Sequence, residues 1–192
     1  MEFEEQSFEK ETFNKIQCTG QDLQDKEFVR CLFVKCDFSY SKFSGASFVD
    51  CAFTDSNLAN IKIDNCSFQN VVFKNCKIVG VAFSSVKTLL IEWSFHNCVI
   101  DLCDFQSLEI RLTKFIDCTI KETDFSKTNL TGVDFSGSDL QGSKFQNTIL
   151  EKADLSGAKN YYIDLMQNKI KGAKFSYPEA STLLDSFNII LK

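Results

Sequence analysis

The chain has 192 residues and a mass of 21.8 kDa, with 20 Phe, 9 Cys, 8 Gly and only 1 each of Pro, Trp and His. Charged residues make up 24% and hydrophobic ones 44%, which excludes a disordered chain and leaves length for one domain or one repeat array. The 21 basic and 26 acidic residues sum to −5 with a pI near 5.0, so no direct binding to a nucleic-acid backbone is expected.

The cysteine count is odd, and the start, MEFEEQSFEK, lacks the basic and apolar regions of a secretion signal. Apolar runs fall short of the ~18 residues of a membrane span, so no membrane partner is expected. A reducing cytoplasm with free thiols fits these features. Catalysis of the Ser-His or Cys-His kind would have to use His96, and the CxxC spacing of a zinc site is absent. The sequence therefore predicts no metal, no cofactor and no enzyme.

In chain order, the first elements are coils of a repeat. Phe3, Phe8 and Phe13, then Phe28 to Phe53 in steps of five, then Phe68, Phe73 and Phe83, share one register. A two-residue phase slip follows at 84–94. From Phe95 a second register runs through Phe105, Phe115, Phe125, Phe135, Phe145 and Phe175, leaving only Phe187 outside both. Leu and Ile fill most gaps. With this position called i, every Cys except Cys18 lies at i−2, and every Gly lies at i+2. In the N-terminal coils the i−2 slots hold Gln6, Glu11, Gln21 and Lys26, poor interior residues that predict distortion there.

The period decides the geometry. On an α-helix a step of five advances about 500°, which scatters the rings. On a flat strand it puts successive rings on opposite faces. A chain that turns a corner every five residues buries them all: i−2 and i point inward, and i+1 and i+2 make the corner, where Gly supplies a positive φ. Four such sides close a square coil of twenty residues. Columns spaced by twenty agree in type: Phe8, Phe28, Phe48 and Phe68, or Phe95, Phe115 and Phe135. The prediction is an all-β, quadrilateral β-helix over 1–175. Such a filled rod implies no concave pocket. Trp93 and the Tyr161-Tyr162 pair sit where the repeat is imperfect, as plugs of irregular coils or as binding spots.

Residues 176–192 leave the pattern and predict a short helix and strand. Ser176 and Glu179 fit a capping box, and Pro178 suits a first turn. Leu183, Leu184 and Phe187 lie on one helical face, and Ile189, Ile190 and Leu191 form an apolar strand. These six residues either cap the last coil or form a homodimer interface.

Segments such as 123–127 (TDFSK), 133–137 (VDFSG), 138–142 (SDLQG) and 153–157 (ADLSG) resemble the A(D/N)LXX-type consensus of the pentapeptide-repeat family. The resemblance covers about residues 3–175 and implies a right-handed quadrilateral β-helix. More narrowly, 33–53 (FVKCDFSYSKFSGASFVDCAF) and 172–191 (GAKFSYPEASTLLDSFNIIL) resemble the quinolone-resistance (Qnr-type) branch. That branch implies a homodimer joined through the C-terminus, acting in bacteria as a duplex-DNA mimic. It also implies DNA gyrase and/or topoisomerase IV as partner, with quinolone action countered. The chain lacks the two projecting loops of many such proteins and is similar to the loop-less members.

On this reading the partner-binding residues are an acidic stripe of Asp101, Asp104, Glu109, Asp117, Glu122, Asp124, Asp134, Asp139 and Asp154. Such a stripe steers toward a basic groove. The alternatives are that Asp at i−1 serves the turns of the repeat, and that the rod is a generic protein-interaction scaffold.

Overall fold

A computed structural model describes residues 3–89 and 91–187. Over most of its length the chain is a stack of square coils, about eight turns of parallel β-structure wound right-handed, the sense that parallel crossovers take. Strands are mostly three residues long with an inward centre and two outward flanks. On side one, Ser7–Glu9, Glu27–Val29, Ser47–Val49 and Ser67–Gln69 pair in parallel. On side two, Thr12–Asn14, Leu32–Val34, Ala52–Thr54, Val71–Lys74, Trp93–His96 and Lys114–Ile116 form a six-stranded ladder. Side three holds Lys77–Val79, Val99–Asp101 and Thr119–Lys121, and side four is joined by single bridges such as Asp104↔Asp124.

The short strands follow from the corners. At i+2 the backbone enters the left-handed region from Lys10 through Gly80 and from Asn97 through Gly157. Gly takes that conformation without strain, and Asn and Asp tolerate it. Gly137 has φ 70, and an added Cβ there would run into the Asp117 carboxylate of the preceding coil. The first coil is less disturbed than the sequence suggests, because Phe8 still pairs in register with Phe28. Of the polar i−2 side chains, Gln6, Glu11 and Gln21 are exposed, Gln6 donating to the Asp25 carbonyl, and Lys26 of the next coil lies over the Phe8 ring and donates to the Glu5 carbonyl at 2.6 Å. Phe3 closes this end, its ring 4.7 Å from that of Phe13.

Inside, the rings stack coil upon coil. Phe13, Phe33, Phe53, Phe73, Phe95, Phe115 and Phe135 form one column, with centroids 4.5–5.3 Å apart. Rings on adjacent sides meet mostly edge to face, the arrangement that suits the aromatic quadrupole. Burying each ring contributes ~1.5–3 kcal/mol. The two registers of the sequence are therefore one set of columns. Across the slip the pairing step is 22 residues, with Phe73↔Phe95, Ile78↔Ile100 and a Phe83–Phe105 stack at 4.5 Å. The two extra residues are taken up on side one, after a 3₁₀ turn at Phe83–Ser85 and before Trp93, which pairs with Val71. Trp93 is buried in an i−2 slot and donates its indole N–H to the Phe68 carbonyl at 3.0 Å.

The i−2 slot does more than save space. The i carbonyl of the preceding coil accepts a bond from it: Cys36 Sγ to Phe13 O at 3.3 Å, Thr128 Oγ1 to Phe105 O at 2.7 Å, Ser138 Oγ to Phe115 O at 2.7 Å. Cys, Ser and Thr thus supply donors to inward carbonyls of the coil below, some of which, like Phe43 O and Phe125 O, also accept a backbone N–H.

At the C-terminal end Asn160 occupies an i position but is exposed, and Tyr161 enters the core instead, 5.8 Å from Phe175. The predicted helix is a 3₁₀ helix, Glu179–Phe187. The capping box does not form, because the Ser176 hydroxyl accepts the Gly157 N–H of the coil below at 3.0 Å. Leu183 packs onto the core, and Phe187 is about half exposed. The predicted strand residues Ile189, Ile190 and Leu191 lie outside the described residues.

Candidate partner-binding surface

The nine acids do not share one face. Glu109 lies on side one, Asp134 and Asp154 on side two, Asp117 at the corner of sides two and three, and Asp139 on side three. The remaining four gather around the corner of sides three and four. Asp101 ends a side-three strand, Glu122 stands at the corner, and Asp104 and Asp124 bridge in register on side four. Asp134 and Asp154 also bridge in register, with Lys114 on one flank and Lys174 on the other.

These aspartates are held by the turns they precede. Oδ1 of Asp104 accepts the Gln106 N–H at 2.9 Å, that of Asp124 the Ser126 N–H at 2.8 Å, and that of Asp134 the Ser136 N–H at 2.9 Å. Each is an Asx turn, which fixes the carboxylate and leaves its charge outward. Ser84 adds a hydroxyl donor to Asp104 at 2.6 Å, and Gln106 an amide donor to Asp124 at 3.1 Å. At Asp154 the Ser156 hydroxyl and N–H, with Lys174 at 3.0 Å, hold the carboxyl below its ordinary value. That carboxylate therefore favours the folded state above a pH near its unfolded value of 3.8, and the contribution is lost as pH falls through the lowered one.

Sequence reasoning passed over two leucines. Leu102 sits at the corner among Asp101, Asp104, Glu122 and Asp124, and Leu112 sits at the opposite corner; both have positive φ and lie largely in solvent. The signal was present: at most other corners Gly, Asn, Asp or Lys occupies this place. The filled-rod expectation of no concavity also fails, since a cleft of about 490 Å³ opens beside Leu112.

The thiols are packing groups. All nine are buried and none is in a disulfide, and burial pushes Cys51, Cys66 and Cys103 up to about 12, so these three stay protonated near neutral pH. Among the described residues no group of His, Cys, Asp and Glu could hold a metal ion, and no helix is long and apolar enough to cross a membrane. His96 is half-buried on side two.

Against known families, the pentapeptide repeat region matches residues 26–91 and 87–175. The chain belongs to the pentapeptide-repeat family. Its fold is similar to that of trypsin-treated QnrB1, a plasmid-mediated fluoroquinolone resistance protein, with a TM-score of 0.57 and 19% identity over 97% of this chain and 91% of that one. Full-length QnrB1 gives 0.52 and 16% identity over 95% and 100%. HetL, a pentapeptide-repeat protein involved in heterocyst differentiation regulation from the cyanobacterium Nostoc sp. strain PCC 7120, gives 0.59 and 13% over 88% and 87%. No curated protein matches the chain. As a pentapeptide-repeat solenoid it offers partners its outward columns, since the interior is filled by side chains.

Proposed function

We propose that this pentapeptide-repeat rod binds DNA gyrase or topoisomerase IV in the bacterial cytoplasm as a mimic of duplex DNA, and so modulates quinolone susceptibility. The observation that carries the reading is the corner of sides three and four, where Asp101, Asp104, Glu122 and Asp124 stand outward and two of them are clamped in register one coil apart. Coils repeat at roughly 4.8 Å along the rod, against about 3.4 Å of helix axis per phosphate of one DNA strand, so the column is a sparse imitation of a strand in charge per unit length. About eight coils give a rod of roughly 40 Å. Mixing with purified gyrase is expected to give a complex that weakens as salt rises and that linear duplex DNA displaces. No complex at low salt rejects the reading.

A second reading is favoured by HetL, whose fold matches this chain as well as that of QnrB1 does. On that reading the rod is an interaction scaffold for a different partner, and the fold does not choose between them.

We infer also that the C-terminal end joins two copies. Tyr177 is almost fully exposed there, and Phe187 and Leu184 flank the core-facing Leu183. Leu184, Phe187, Ile189, Ile190 and Leu191 are the proposed contact. Sedimentation is expected to give twice the mass of 21.8 kDa; the mass of one chain would leave the helix as a cap alone.

A further inference from the structure

The cleft beside Leu112 lies at the corner of sides one and two, where the two extra residues of the slip are taken up. Nothing in the repeat calls for it. Ile91 and Glu92 line it from one coil, and Arg111, Leu112 and Lys114 from the next.

Three features mark this corner. Leu112 has φ 58, a conformation that costs a leucine strain, yet the side chain is 73% exposed and gains little burial in return. The Thr113 hydroxyl, behind the same wall, is buried without a hydrogen-bond partner, whereas Thr123, Thr128 and Ser138 use theirs on the carbonyl 23 residues earlier, a place that for Thr113 falls on residue 90, outside the described residues. The charged lining is two cations to one anion, on a chain that is acidic overall. Arg111 contacts Glu109 at 3.3 Å, but both groups are well exposed and the pair exchanges easily for another carboxylate.

We propose that this cleft captures the C-terminal residue of a partner peptide with an aliphatic side chain. The carboxylate lies between Arg111 and Lys114, the side chain rests on Leu112 and Ile91, and the Glu92 carboxylate accepts the residue's amide N–H. The charges are complementary to a chain terminus, and the apolar wall gives it a side-chain preference. The proposal is independent of the topoisomerase reading, since it concerns the opposite corner of the rod.

N-acetylleucine and its C-terminal amide serve as probes on the full chain. Trp93, the single Trp, lines the cleft and reports by its emission. N-acetylleucine is expected to give a saturable change, with the amide at least about tenfold weaker for loss of the charge-assisted bonds. Arg111→Gln and Lys114→Gln are each expected to weaken binding several-fold. Leu112→Gly relieves the backbone strain, so it is expected to keep or raise the thermal midpoint while weakening binding. No saturable change with N-acetylleucine, equal affinity for the amide, or unaltered binding by Leu112→Gly would overturn the proposal.

Discussion

Phe95→Ala is expected to lower the unfolding free energy by ~3–5 kcal/mol. Phe95 is fully buried and lies between Phe73 at 4.9 Å and Phe115 at 4.8 Å, its ring within a few degrees of parallel to both. It is also the ring that carries the side-two column across the slip. In a solenoid each coil is stabilised by its neighbours, so a gap here loosens the coupling between the two halves. Its methylene and ring atoms cannot be replaced by collapse, because backbone ladders fix the sides on either hand. Urea unfolding followed by far-ultraviolet circular dichroism and by Trp93 emission measures the loss. A change below ~1 kcal/mol would contradict a stacked core, since even a partial cavity costs more than that at such a site.

Replacing Asp104 and Asp124 together by Asn is expected to remove most of the binding to gyrase and leave the fold intact. The structure itself shows why the fold survives. Asn57 and Asn129 occupy the same i−1 place on other coils, and their Oδ1 atoms accept the Ala59 N–H at 3.2 Å and the Thr131 N–H at 3.1 Å. Asn therefore keeps the Asx turn and loses only the charge. The same exchange at Asp134 and Asp154 is expected to matter less, because Lys114 and Lys174 close that column on both flanks and Lys174 already pairs with Asp154, whereas the Asp104–Asp124 column meets a lysine, Lys144, on one flank and Ala82 on the other. Equal losses from the two pairs would mean that net charge, rather than the corner of sides three and four, governs association.

How far the sequence could be read depended on whether a residue's role was set by period or by neighbours in space. Phe at every fifth position leads to four sides by exclusion of helix and flat strand, and Gly at i+2 lies where the backbone is left-handed. The Cys at i−2 were legible as small fillers, but their bonds to carbonyls such as Phe13 O and Phe28 O require the stacked coil below. The period of twenty already puts Asp104 with Asp124 and Asp134 with Asp154, but grouping all nine acids as one stripe overlooks that each step of five turns a corner and carries the next acid to another side. Residues a full coil apart, such as Asp104 and Asp124, keep company, as do those on the two sides of one corner, such as Asp101 and Asp104. Ser176 looked like a helix cap because its competitor, the Gly157 N–H, is 19 residues away in sequence. Tyr161 replaces Asn160 in the core because a large ring fills the last coil better than a polar amide.

On the proposed function the acidic corner takes the place of DNA on a type II topoisomerase. Gyrase supercoiling in the presence and absence of ciprofloxacin tests it most directly. The purified chain, at micromolar concentration or below, is expected to alter supercoiling or restore it in drug, and the Asp104→Asn, Asp124→Asn double variant to do so far more weakly. Supercoiling unchanged by the chain under both conditions would contradict it.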